Sequence, residues 1–338
     1  MASKLNNMAA RRARIAWMWM MTSVAAGVAL LLTATGSAQP FGAAQSGQGG
    51  TRLTVVQVRP NFYMIAGAGA NIGFSTGVDG VVLVNTGTRE ASADVMAKIR
   101  ELTKGAAIRY VINTSGEAET MGGNKTFDLP SVLHIAAHEN ALRAVTAGTG
   151  QTPLLPSDLW PNEAFLEERR YLFFNGEGIE ILHMPAAHTD GDVVVFFRRS
   201  DVVVAGNVLD DTRFPIIDLA RGGSIKGEIN ALNRLIALAI PPGPLVGTPP
   251  VGIALSEMPG GTEVLPGHGR VYRQLDVVEY RDMVVIVRDW IKHYMDQNMT
   301  LAQIQAAAPA KAWEARFGGP AITQQFVATV YESLMKEK

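Results

Sequence analysis

Residues 110–124 read YVINTSGEAETMGGN, and the reading of this stretch decides the fold. Tyr110, Val111 and Ile112 form an apolar strand that runs out into a polar turn, and Gly122-Gly123-Asn124 leads into the next element. A strand end followed by a polar loop is where a layered α/β protein places its chemistry. The sheet fixes the root of the loop while the loop's side chains stay accessible.

Upstream, short apolar runs at Leu53–Val58, Phe62–Ala66, Ile72–Ser75 and Val81–Val84 are split by Pro60-Asn61, Gly67–Gly69 and Asp79-Gly80. That spacing predicts antiparallel hairpins. A helix is predicted from about Arg89 to Leu102, where Val95, Met96, Ile99 and Leu102 recur at helical spacing. Strand Ile108–Ile112 then delivers the central loop. Downstream come a strand near Val132–Ile135, a helix near Glu139–Thr146 with Ala136-Ala137-His138-Glu139 opening it, and an irregular stretch over 147–162. Two hairpins follow, Tyr171–Phe174 with Ile179–Met184 and Val193–Phe197 with Val202–Ala205, and then a helix over about Lys226–Ile240. Residues 241–261 carry six prolines and five glycines, against regular structure. Such a segment reads as a flap over a cleft, a partner-docking segment or a surface insertion. After a short strand, Thr262–Leu265, the remainder is helical: about Gln274–Met295, a shorter helix from Leu301 and a last one near Ile322–Lys336. Strand-rich halves closed by helices imply a two-sheet core with helices outside, an α/β (α+β) chain in four layers.

The chain has 338 residues, 47% of them hydrophobic, enough for a full core. Charged residues make up 18% and nearly balance, so no general polyanion surface and no nucleic-acid partner is expected. The absence of cysteine excludes disulfides, thiolate nucleophiles and sulfur-ligated metal sites. At the N-terminus, Lys4, Arg11, Arg12 and Arg14 precede an apolar run from Ile15 to about Ala34, and Gly36-Ser37-Ala38 follows. Basic, apolar, small is the order of an export signal over residues 1–38, which implies a periplasmic or secreted protein. The apolar run is long, so an uncleaved membrane anchor is the other reading. Residues 39–51, rich in Gly, Gln, Ser and Ala, read as a flexible linker, and 52–338 as the folded domain.

Five pieces of the central domain, in order, resemble the metallo-β-lactamase superfamily. Asn113, Thr114, Gly122, Gly123 and Asn124 fit its first metal-binding loop, N-T-H-x-H-x-D-H-x-G-G-N. Val84-Asn85-Thr86-Gly87 resembles the early D-T-G, Pro185 to Asp192 the P-G-H-T loop, Ala205-Gly206-Asn207 the A-G-D turn, and Pro266-Gly267-His268-Gly269 the P-G-H-G loop. The resemblance implies an αββα sandwich. It also implies two zinc ions, the first held at positions 115, 117 and 188 and the second at 119, 120, 207 and 268. This chain offers Ser115, Glu117 and His188 for the first, and Glu119, Thr120, Asn207 and His268 for the second. Hydroxyls are poor zinc ligands and a neutral amide does not bridge two metals, so the dinuclear site is not expected. Glu117, Glu119, His188 and His268 together are the right kinds of donor for one zinc, iron or manganese ion. The bland alternatives are solvated loop acids and histidines that only fasten loops.

Two functions follow. One is a non-catalytic relative of the hydrolases whose cleft, with Ser115, Thr120, Asn207 and Asn85 in its wall, binds a small molecule or an exported protein partner. The other is an ester, thioester or lactone hydrolase with a rebuilt site. There Glu117 or Glu119 acts as general base, its pKa raised by apolar walls. Asn85 and Asn207 also read as hydrogen-bonding fasteners of their loops. His134, His138, His183 and His293 lie outside the motifs and read as structural hydrogen-bonders. Trp160, Trp290 and Trp313 read as packing residues.

Overall fold

The computed structural model describes residues 52–147, 154–243 and 260–337. The expected export signal and linker lie outside the described residues, as do 244–259 of the proline-rich segment. Among the described residues no helix is long and apolar enough to cross a membrane.

Two sheets face each other. One has seven strands in sequence order: β1 (Thr54–Arg59), β2 (Phe62–Ala66), β3 (Ile72–Gly77), β4 (Gly80–Val84), β5 (Ile108–Ile112), β6 (His134–His138) and β7 (Glu163–Phe165). Its first four strands form an antiparallel meander, as the turn spacing predicts, and β4 to β7 run parallel. The other sheet has five strands in the order β12 (Glu263–His268), β11 (Val202–Asp210), β10 (Val193–Phe197), β9 (Glu177–His183), β8 (Arg169–Phe174).

Side chains alternate across each strand, so one run of apolar residues serves two cores. Val82 and Val84 of β4 point between the sheets with Phe62, Val193, Val195 and Val204, while Val81 and Leu83 point outward. The outward set packs on helix α1 (Ser92–Leu102) through Val95, Met96 and Ile99. On the far side of the five-stranded sheet, Val194, Val203 and Ala205 belong to one core with α5 (Ile225–Leu238), α6 (Gln274–Asp296), α7 (Leu301–Ala307) and α8 (Pro320–Lys336). The layers are therefore helix, sheet, sheet, helix.

Four elements differ from the sequence reading. Strand β6 continues through Ala136-Ala137-His138, read above as the opening of a helix, and helix α4 (Glu139–Ala147) begins only after it. These residues are buried between β5 and β7, and that parallel pairing outweighs the helical preference of alanine. The short β7 was not foreseen. Strand β11 runs past Gly206-Asn207 to Asp210 through register shifts against β12. Pro266 lies within β12, and is tolerated because β12 is the edge of its sheet.

Helix α5 starts at a sequence-encoded cap. The Ser224 hydroxyl accepts from the Gly227 amide at 2.9 Å and reaches the Ala186 carbonyl at 3.2 Å. Ser224→Ala is expected to lower stability by about 1 kcal/mol, read as a shift of the urea midpoint at constant slope.

Candidate functional site

The site is built from loops leaving β5, β9 and β11 and from the last residue of β12. After β5 the chain makes two single-turn helices, α2 (Ala118–Met121) and α3 (Asn124–Phe127). They are held by a side-chain knot: Asn113 and Asn124 exchange amide hydrogen bonds at 3.1 and 2.9 Å, and Thr86 Oγ1 donates to Asn124 Oδ1 at 3.0 Å. A Cβ on Gly123 would lie 2.5 Å from the Thr86 carbonyl, so glycine is what lets the two loops close on each other. On β11, Gly206 has φ +55°, and a Cβ there would sit 2.4 Å from Thr114 Oγ1. The glycine brings Asn207 up to Glu119.

These loops enclose a cleft of about 200 Å³ lined by Glu117, Glu119, His188, Asn207, Asp210, Arg213, Ile216 and Arg221. Its acids are already engaged. Glu117 Oε1 lies 2.8 Å from Arg221 Nη1 and 3.3 Å from His188 Nε2. Glu119 Oε1 accepts from Asn207 Nδ2 at 2.9 Å, and its Oε2 lies 3.2 Å from His268 Nε2, outside hydrogen-bond geometry. Asp210 Oδ2 accepts from Arg213 Nε at 2.5 Å.

The four residues read as one metal site thus divide into two pairs, Glu117 with His188 and Glu119 with His268. Among the described residues, no group of three or more His, Asp or Glu is arranged to hold a metal. Three residues expected in the cleft wall are elsewhere. Ser115 and Thr120 are fully buried, their hydroxyls 3.2 Å apart, and Thr120 Oγ1 also donates to the Ser115 and Glu117 carbonyls. Asn85 is a fastener: at φ 67° its Oδ1 accepts from Thr114 N at 2.9 Å and Oγ1 at 3.0 Å. Away from the site, His138 and His183 stack with ring centroids 3.7 Å apart.

The charged walls act on the acids in the direction opposite to the one expected. Burial pushes the Glu117 carboxyl up, but the hydrogen bond and charge of His188 and the charge of Arg221 bring it below the ordinary range. Glu119 is lowered as well, first by the close approach of His268, then against burial by the charge of His268 and the Asn207 amide. His188 loses basicity to burial, yet Glu117, Asp192 and the Ile216 carbonyl raise it to about 10. At neutral pH it is an imidazolium that donates from Nδ1 to Ile216 O at 2.7 Å and from Nε2 to Glu117. Behind it, Asp192 is buried and raised to about 7, first by desolvation, although His188 pulls it down. Glu228 on α5 is buried further back, and neither of its oxygens has a hydrogen-bond partner among the described residues.

Sequence reasoning found Glu117, Glu119, His188, Asn207 and His268 through the loop motifs. It missed Asp210, Arg213, Ile216 and Arg221, which carry no local pattern. The one available hint was the charged run Asp210-Asp211-Thr212-Arg213, a few residues beyond the expected strand Val202–Ala205.

No family model matches the chain, and no curated relative does. Solved structures do. A metallo-β-lactamase from Pontibacter korlensis is 16% identical, with 69% of this chain and 99% of that one covered and a TM-score of 0.52. The stereoselective inverting sec-alkylsulfatase Pisa1 from Pseudomonas sp. is 13% identical over 83% of this chain, with a TM-score of 0.60. The match covers 50% of the sulfatase, so this chain spans about half its length. The DIM-1 metallo-β-lactamase is 14% identical, with 69% of this chain and 96% of that one covered and a TM-score of 0.50.

Proposed function

We propose that this chain, which has the metallo-β-lactamase fold, is a ligand-binding relative of the hydrolases built on it, one whose cleft is neutralised by its own cations. The observation that carries this reading is the ion pair between Glu117 and Arg221 at 2.8 Å, with His188 on the same carboxylate oxygen. A guanidinium and an imidazolium supply the positive charge that a metal would otherwise bring to Glu117.

The donor set does not fit two zinc ions. His188 has both ring nitrogens engaged within the protein, Nδ1 with the Ile216 carbonyl and Nε2 with Glu117. The Ser115 and Thr120 hydroxyls are turned into the loop and buried. Asn207 presents its amide nitrogen, a donor, to Glu119. A metal site needs ligand number and geometry together, and zinc is held by deprotonated or neutral donors with free lone pairs. The alternative, a hydrolase with Glu117 or Glu119 as base, calls for a carboxylate of raised pKa. Both acids are shifted the other way. The order of residues 1–38 supports export, so the ligand or protein partner would be met in the periplasm or outside the cell.

Elemental analysis of purified protein tests the reading. Zinc, iron and manganese are expected far below one per chain, and added zinc is expected to leave the melting temperature unchanged. Stoichiometric metal that survives dialysis against a chelator would overturn it.

A further inference from the structure

The charged cleft has an apolar neighbour. A second cavity, of about 240 Å³, shares Arg213 and Ile216 with it and is lined by Phe214, Ile217, Ile322 and Phe326. It lies between the segment that follows β11 and the start of α8. Ile216 and Ile322 stand 46% and 41% exposed, so water covers large apolar side chains there. Each cavity alone falls short of the ~300 Å³ at which small-molecule sites begin, and a ligand reaching from one into the other would pass Arg213 and Ile216, which line both.

Arg213 stands in the wall common to both. Its Nε is fixed by Asp210 Oδ2, while its two terminal nitrogens have no hydrogen-bond partner among the described residues. A guanidinium held by one edge offers its remaining N–H groups as a planar fork, whose geometry matches a carboxylate. A cationic ligand has no such opening, because Glu117, Glu119 and Asp210 are each paired with a group of the protein. Burial of an alkyl group against the second cavity takes apolar surface out of water and favours binding with each added methylene.

We propose that the ligand is an amphiphilic monocarboxylate, its head on Arg213 and its short apolar tail in the cavity between Phe214, Ile322 and Phe326. This rests on the ligand-binding reading above. It adds the chemical class of the ligand and the residues that select it.

The test is calorimetric titration of the full chain, its metal content measured, with octanoate, acetate and 1-octanol. Octanoate is expected to bind at least tenfold more tightly than acetate, which lacks the tail, or octanol, which lacks the charge. Arg213→Met is expected to weaken octanoate at least tenfold. Ile322→Glu, at an exposed position outside the ion pairs, is expected to do the same while leaving the melting temperature within a few degrees. Should Arg213→Met fail to fold because Asp210 loses its partner, Ile322→Glu decides alone. Octanoate no tighter than acetate, or tight octanoate binding that Ile322→Glu leaves unchanged, overturns the proposal. No octanoate binding by metal-free protein overturns this assignment and leaves the ligand-binding reading standing. Octanoate binding that appears only after zinc is added overturns both.

Discussion

Arg221→Met is expected to lower the stability of the fold by about 2–3 kcal/mol, and Glu117→Gln in the same chain to restore most of it. Removing one partner of a buried ion pair costs ~3–5 kcal/mol, because the remaining charge is left without compensation. Here the cost falls toward the lower end for two reasons. The Arg221 side chain is 20% exposed, and His188 remains on Glu117 after the guanidinium has gone. Arg221 also gives its Nε to Asp218 at 2.7 Å, but Asp218 keeps its bonds to the amides of residues 220 and 221 and is more exposed. The double variant separates charge from packing. If Arg221 serves as the counter-charge of Glu117, neutralising both costs much less than the sum of the single changes. Urea midpoints at pH 7 for the four proteins provide the measurement. A loss below about 0.5 kcal/mol in Arg221→Met, the range of an ordinary surface substitution, would mean that the cleft does not depend on this cation.

The ease of reading the fold and the difficulty of reading the site have one physical origin, the range of the interactions. The sheets rest on period-two alternation within each strand, as in Val81 to Val84, and on turn residues between strands, both visible within a few positions. The site loops were legible because Gly122, Gly123, Asn124, Gly206 and Gly267 stand where backbones come too close for a side chain, or where a knot of amides closes a loop. Arg221 and Arg213 obey no such rule. They reach the cleft because the folded chain returns residues 210–221 to the loop after β5, and a single arginine in a turn carries no trace of that journey. Strand β7 was missed for a related reason. Three residues are too few to show a period, and Glu163, Ala164 and Phe165 are strand only because β6 offers a parallel edge. The expected rise in the pKa of Glu117 and Glu119 failed because the walls are charged rather than apolar: His188 and the unforeseen Arg221 act on Glu117, and His268, Asn207 and the unforeseen Arg213 on Glu119.

Glu228→Met is expected to stabilise the protein at neutral and higher pH and to remove part of the pH dependence of its stability. Glu228 is fully buried, and both oxygens lack partners among the described residues. Burial first, then the nearby Asp192, push its carboxyl well above the ordinary 4.5, with His188 pulling weakly the other way. The folded chain therefore holds a proton that the unfolded chain gives up above pH 4.5. Where the folded state binds more protons, stability falls as pH rises, by up to ~1.4 kcal/mol per pH unit for one group. The favourable term is complete below the unfolded value and is lost on the way up through the folded one. Methionine has a similar length and nothing to ionise, and apolar replacement of a buried charge is often neutral or stabilising. Midpoints of urea unfolding from pH 4.5 to pH 8 should start close together and diverge in favour of the variant. Asp192 contributes a slope of the same sign to both proteins, so the difference between them is the quantity to follow. Glu228→Gln should flatten the same slope with a smaller gain, because it leaves a buried amide without partners. A Glu228→Met protein with the wild-type pH slope, or one less stable at pH 8, would show that this carboxyl is solvated or bonded in the folded chain.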